Sequence, residues 1–294
     1  MNKSKFLKNK YKIEKTLGEG GTSRVYLCKN TRLGNYWAVK HLYSHSATLS
    51  TEVEILKKLN HPGLPNIVDV IEEDGEIYII ESYIEGTSLS EFINDNKHPD
   101  EDTALEWMKD LCNSLSYLHN MKPFPIIHRD IKPHNIIISH GNRAVLIDFG
   151  ISKENTPAEL SDKISAGTKI YAAPEQFSAG GLSDQRTDIY SLGITFYHLL
   201  TKRLPAFNPE KIYTFNKKIS PELDIIIGKC INENPGKRYQ KIEDLFADIS
   251  AVRFIHHHNE KISITNKFIL ALSFIFSAIA IIFSYLGLKN LLDK

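Results

Sequence analysis

The chain has 294 residues, 42% of them hydrophobic and 24% charged, with a formal net charge of +1. That length and apolar content suit one two-part domain with something appended, and the even charge balance argues against nucleic acid as the main partner. Cys28, Cys112 and Cys230 stand far apart without a CxxC pair, so they are expected to be reduced thiols of a protein folded in the cytosol.

The first element in chain order is Tyr11 to Val25, YKIEKTLGEGGTSRV, which predicts a strand, a turn at Gly18, Gly20 and Gly21, and the start of a second strand. A plain hairpin turn has the same pattern. Trp37-Ala38-Val39-Lys40 predicts another strand. Thr51 to Asn60, TEVEILKKLN, predicts a helix with Ile55, Leu56 and Leu59 on one face. Glu52 and Glu54 lie about 200° apart on that helix, so only one of them can face a neighbouring site. Ile77 to Ile80 is an apolar strand that ends in the stretch Glu81 to Gly86. Ile136–Ile138 and Ala144–Ile147, separated by His140-Gly141-Asn142, predict a hairpin that sets Asn135 and Asp148 side by side.

Near the far end, Phe268 to Leu288 carries no charged residue over 21 positions, bounded by Lys267 and Lys289. As a helix this run measures about 31 Å, close to the roughly 30 Å hydrocarbon core, and a membrane span is expected. The first 16 residues have no apolar core, so no secretory leader is expected. Only Lys289 to Lys294 follow the span, which suggests a C-terminal, tail-type anchor. Arg253, Lys261 and Lys267 before it and Lys289 and Lys294 after it say little about orientation. His256–His258, adjacent to one another, fit a solvated linker over 254–267 better than a metal site.

Residues 128–150, HRDIKPHNIIISHGNRAVLIDFG, resemble the catalytic and metal loops of protein kinases, H-R-D-x-x-x-x-N followed by D-F-G. The likeness runs from about Tyr11 to Val252, with its motifs in order, and is to the bacterial branch of the eukaryotic-type (Hanks-type) serine/threonine kinases. It implies an α+β fold of two lobes within a kinase domain over 11–253: a small sheet-rich lobe over about 11–83 and a mainly helical one over about 87–253. ATP and Mg²⁺ are the implied cofactors, with Mn²⁺ as an alternative. Phosphoryl transfer needs a carboxylate to accept the hydroxyl proton and oxygen ligands for the metal. The resemblance gives the first role to Asp130 and the second to Asn135 and Asp148.

The same resemblance places Lys40 on the α- and β-phosphates and pairs it with Glu52, which the alignment of LKKLNHP favours over Glu54. Leu17, Gly18, Glu19, Gly20, Gly21, Thr22, Ser23 and Val25 would cover the nucleotide, with Ser23 standing where the family has its third glycine. Ala38 and Ile137 would line the adenine pocket, with Ile80 at its back. The carbonyl of Glu81 and the amide of Tyr83 would bond the base. Lys132, two residues after Asp130, is the lysine of Ser/Thr kinases and would steady the γ-phosphate. Thr168, in an activation segment from Asp148 to Glu175, would help position the acceptor. Glu175 of Ala173-Pro174-Glu175 would pair with Arg238, and Asp188 would hold the catalytic-loop backbone. Arg129 implies an anion on that segment, from phosphorylation of Thr156, Ser161 or Ser165 or from Asp162 as a built-in substitute.

The expectation is therefore a single-pass membrane kinase with its catalytic domain in the cytoplasm, where ATP is found. It would act on seryl and threonyl hydroxyls of proteins, itself included, with self-association assisting that step and the lipid bilayer as a further partner. No nucleic acid partner is expected. A pseudokinase scaffold and a small-molecule kinase of the same fold are the alternatives. Lys40, Asp130, Asn135 and Asp148 argue against the first, and Ala173-Pro174-Glu175 with Arg238 against the second.

Overall fold

Val, Ile and Tyr are frequent in the strands of the first third of the chain, and such residues fit a pleated, half-buried surface. In the computed structural model they build a six-stranded antiparallel sheet. Its strands are β1 (Phe6–Leu7), β2 (Tyr11–Glu19), β3 (Ser23–Asn30), β4 (Tyr36–Leu42), β5 (Ile67–Glu73) and β6 (Glu76–Ser82), in the order β1-β2-β3-β4-β6-β5. The structure describes residues 6–20, 23–43, 56–73, 75–95, 98–148, 170–177, 183–205, 209–252 and 272.

Register decides what each face of this sheet carries. Val39 opposes Ile80, and these two share a buried cluster with Leu7, Tyr11, Cys28 and Ile71. Side chains alternate along a strand, so the next residues point the other way. Lys40 opposes Val25 and Ile79, and Ala38 opposes Leu27 and Glu81, which puts all six on the second face. Ile80 thus points away from the face of Lys40 and Ala38, which corrects its expected place at the back of the nucleotide pocket. Glu81 stands on the cleft face instead.

Four residues past Ser82 the chain enters β7 (Gly86–Ser88), which pairs with β8 (Ile136–Ser139), itself paired with β9 (Ala144–Leu146). Only glycine fits at 86, because a Cβ there would lie 2.2 Å from the carbonyl oxygen of Ile138. Helices make up most of the rest: α1 (Leu89–Asn94), α2 (Glu101–His119), α3 (Gln185–Thr201), α4 (Ile212–Phe215), α5 (Pro221–Cys230) and α6 (residues 242–252). Ser88 and Glu91 form a capping box that starts α1. Along α2 the residues Ala104, Leu105, Met108, Leu111, Leu115 and Leu118 recur at helical spacing and are fully buried. Burying each Leu contributes about 1.5–3 kcal/mol. The central helix α3 is enclosed nearly all round. Its Ser191, Thr195 and Thr201 hydroxyls donate to carbonyls one turn back, so they are buried without an unmet donor.

The two-lobed α+β arrangement follows the expectation, and both lobes lie in one compact unit that ends at Ile249. All three cysteines are free and buried, and burial pushes the Cys28 thiol up to about 12. Among the described residues no helix is long and apolar enough to cross a membrane. The expected span 268–288 lies outside the described residues except for Leu272, as do the linker 254–267 and the tail 289–294.

Candidate active site

The loop before β8 is fixed from beneath. Asp188, in the first turn of α3 and fully buried, accepts the amides of His128 at 2.9 Å and Arg129 at 2.8 Å. Its Oδ2 also lies 2.9 Å from His119 Nε2, at the end of α2. Burial opposes its charge, yet these bonds hold its carboxyl below the ordinary aspartate range. The role expected for Asp188 is what its contacts show. His119 is a residue that sequence reasoning misses, because its contact spans 69 residues and no local motif marks it.

Clamped in this way, the loop turns sharply. Arg129 has φ 62°, a left-handed conformation that costs a residue with a Cβ on the order of 1–2 kcal/mol. The Gln176 side chain donates to the Arg129 carbonyl at 3.4 Å from the 3₁₀ turn Pro174–Phe177. Past the turn, Asp130 Oδ2 accepts from Lys132 Nζ at 3.0 Å and from Asn135 Nδ2 at 3.1 Å. Asn135 Nδ2 also donates to the Asp130 carbonyl at 2.8 Å. The amide nitrogen of Asn135 is thereby spent on the loop, and its oxygen Oδ1 has no partner among the described residues.

The hairpin β8–β9 then carries the chain to Asp148, as its apolar runs predict. The Ile147 amide bonds the Asn135 carbonyl at 2.8 Å, which ties the two ends of the hairpin together. α2 anchors its tip: Trp107 Nε1 donates to Asn142 Oδ1 at 3.1 Å, and Asp110 accepts from Arg143 Nε at 2.9 Å and from the Ala144 amide at 3.1 Å. Asp148 has φ 61°, the second left-handed residue of the site. Its side chain is 35% exposed and bonds Lys40 Nζ across the cleft. Burial works against the Lys40 charge, but Asp148, with Glu81 and Asp130 close by, holds its pKa above the ordinary lysine value.

A carboxylate open to the cleft and an amide oxygen not used elsewhere form a hard oxygen pair, and magnesium takes one or two protein ligands together with phosphates. The donor set therefore fits such an ion on a nucleotide. Among the described residues no group of three or more His, Cys, Asp or Glu could hold a metal by itself.

Above the site, the turn between β2 and β3 is closed by the Gly20 amide on the Ser23 carbonyl at 2.8 Å. Glu19 is held by Arg24 and accepts from the Tyr43 hydroxyl at 3.2 Å, and its contact with Arg24 keeps its carboxyl below the ordinary range. Leu17 is 40% exposed, Val25, Tyr83 and Ile137 are half-buried, and Ala38 is buried. Gly21, Thr22, Glu52, Glu54, Thr168, Thr156, Ser161, Asp162 and Ser165 lie outside the described residues. The expected pair of Glu175 and Arg238 is present and bidentate, at 2.8 and 2.9 Å.

Comparison with known proteins agrees with this geometry. Residues 11–249 match the protein kinase domain. The chain is 33% identical over 282 residues to the serine/threonine-protein kinase PrkC of Bacillus subtilis, covering 87% of this chain and 42% of that protein. To the serine/threonine-protein kinase PknB of Mycolicibacterium smegmatis it is 30% identical over 280 residues, covering 86% and 44%. The chain thus spans less than half the length of these relatives. The crystal structure of a double mutant of the Mycobacterium tuberculosis PknI kinase domain superimposes with a TM-score of 0.63 at 24% identity over 82% of this chain and 95% of that one, a likeness of fold. On the match over residues 11–249 and the identity to these relatives, the chain belongs to the protein kinase family.

Proposed function

We propose that this chain is an ATP-dependent protein serine/threonine kinase that transfers the γ-phosphate of Mg·ATP to seryl and threonyl hydroxyls of proteins, its own among them. The observation that carries the reading is the sharing of one carboxylate oxygen of Asp130 by Lys132 and Asn135. A base needs a held carboxylate to meet the incoming hydroxyl, a cation close to the transferred group, and a fixed distance to the metal ligand. One loop supplies all three. When bound, the metal would offset charge on the phosphates, held by Asn135 and Asp148.

This chain's own residues do the remaining work. Lys40 orients the α- and β-phosphates, Lys132 balances charge on the γ-phosphate, and Asp130 takes the hydroxyl proton at its carboxylate. Gly18 to Val25 and Ala38 cover the nucleotide, and Thr168 positions the acceptor. Asp130→Asn should keep the fold and lower the transfer rate about 10²–10⁴-fold, measured as radiolabelled phosphate on the chain or on a generic protein substrate. An undiminished rate would remove Asp130 from the role of base.

We further propose that 268–288 anchors the chain in a membrane with the kinase domain on the cytoplasmic side. Its 21 uncharged positions support this, since a helix satisfies its own backbone in lipid. The full chain should stay with membranes after carbonate washing, and recovery in the soluble fraction would refute the anchor.

A further inference from the structure

The strand β6 is expected from sequence to serve the nucleotide through the side chain of Ile80 and the backbone of Glu81. Its register shows a side chain that this account leaves unused. Glu81 opposes Ala38 on β4 and Ile67 on β5, so its carboxylate stands in a row between two apolar neighbours on the cleft face. Lys40 opposes Ile79 on the same face, which makes Lys40 and Glu81 diagonal neighbours. Their Cα atoms are then about 7–8 Å apart, within reach of two long side chains. A carboxylate between Ala38 and Ile67 has no local apolar reason to be there.

Lys40 is the cation this carboxylate feels most, with Asp148 as a repelling neighbour beyond it. In the other direction, Lys40 is drawn by Asp148 first and by Glu81 next. We propose that Glu81 is a positioning residue for Lys40: its carboxylate competes with the nucleotide phosphates for the Lys40 ammonium and thereby limits how tightly a phosphorylated nucleotide is held. The energetic context supports this. Lost hydration pushes the Glu81 carboxyl up to about 7, and Lys40 is the cation that opposes this rise and favours the charged form. Asp148 already bonds Lys40, so Glu81 adds a second carboxylate that attracts the same ammonium. A nucleotide must draw it from both.

The inference rests on the cleft being the nucleotide site, and the ligands of the test separate the two. Adenosine carries the base without phosphates, whereas Mg·ADP carries both. Calorimetric titration of the full chain should show Glu81→Gln binding Mg·ADP about three- to tenfold more tightly, the range one partly screened unit charge supplies at this separation. Adenosine affinity should shift less than Mg·ADP affinity does, because no phosphate competes for Lys40. Glu81→Met, which fills the same apolar row, should behave like Glu81→Gln, and Glu81→Asp should stay near the parent. Thermal unfolding without ligand identifies which neutral variant is folded and fit to compare. In a Lys40→Met background, Glu81→Gln should change nothing, since the cycle isolates the coupling between the two residues. Three results would overturn the inference while leaving the cleft reading intact: unchanged Mg·ADP affinity, an equal shift for adenosine, or an effect that survives in Lys40→Met. Absence of any binding by adenosine and Mg·ADP would overturn the cleft reading itself and the inference with it.

Discussion

Two ion pairs in this molecule join similar charges and differ in every physical respect. Arg238 has a fully buried side chain, forks onto both oxygens of Glu175, and spends its remaining donors on the carbonyls of Asn232, Glu233 and Arg186. Its guanidinium also lies 4.6 Å from the ring centroid of Tyr190, and Glu175 accepts Thr187 Oγ1 at 2.9 Å. Lys40 and Asp148 instead meet through a single ammonium at the cleft, with the carboxylate a third exposed and other carboxylates nearby. The first pair has each charge answered by several fixed partners and holds the large lobe together. The second is under-determined, so a ligand bearing its own charges can rearrange it. An arginine fork suits the first task and a mobile point charge the second.

The strongest way to break this contrast is to remove each cation in turn. Lys40→Met should lower phosphate transfer on the order of 10²–10³-fold, as loss of a preorganised donor to developing charge does. Urea unfolding of the same variant should show a smaller loss of stability than loss of the Arg238 cation causes, because Asp148 is a third exposed and solvent can answer the charge that Lys40 leaves. Arg238→Met leaves Glu175 without its partner and should cost about 3–5 kcal/mol in the same unfolding experiment. If the two variants lose stability equally, the division of labour is wrong.

A smaller effect sharpens the comparison through pH. Burial raises the pKa of Glu175, but its bonds with Arg238 and Thr187 outweigh that and keep it below the ordinary glutamate value, and Asp188 is lowered likewise. A carboxyl depressed in the folded state contributes stability that is complete above its unfolded pKa and is lost as pH falls through its folded one. Stability of the parent should therefore decline below about pH 4.5, the ordinary glutamate value. Glu175→Gln should decline less steeply over that range in urea titrations at successive pH values. Matching slopes would show that Glu175 does not carry the acid sensitivity.

Much of this is legible in the sequence where the signal is local. The apolar runs on either side of His140-Gly141-Asn142 mark the hairpin β8–β9, and the five-residue step from Asp130 to Asn135 marks a single loop. Glu175 and Arg238, 63 residues apart, are paired in the sequence only through resemblance to a family. The faces of β6 are not legible. Glu-Ile-Tyr-Ile-Ile-Glu-Ser has no clean alternation, and a slip of one residue exchanges the two faces, so sequence reasoning sets Ile80 in the cleft and values Glu81 for its backbone alone. β1 escapes reading as well, because two residues carry no periodicity. Its turn uses Lys8 and Asn9 with φ 46° and 52°, where a glycine would have announced it.

The short passage from Ser82 to Gly86 has a mechanical consequence. Strand hydrogen bonds grip the chain on both sides of it, β6 within the small sheet and β7 against β8. Three residues held at both ends can twist but can hardly lengthen. Any change in the width of the cleft must therefore involve rotation about residues 83–85, beside Glu81. Rotation there would displace Ala38 and Glu81 least and the parts of β2 and β3 farthest from the passage most. That passage thus acts as a pivot, and the end of the sheet farthest from it as the free end of a lever.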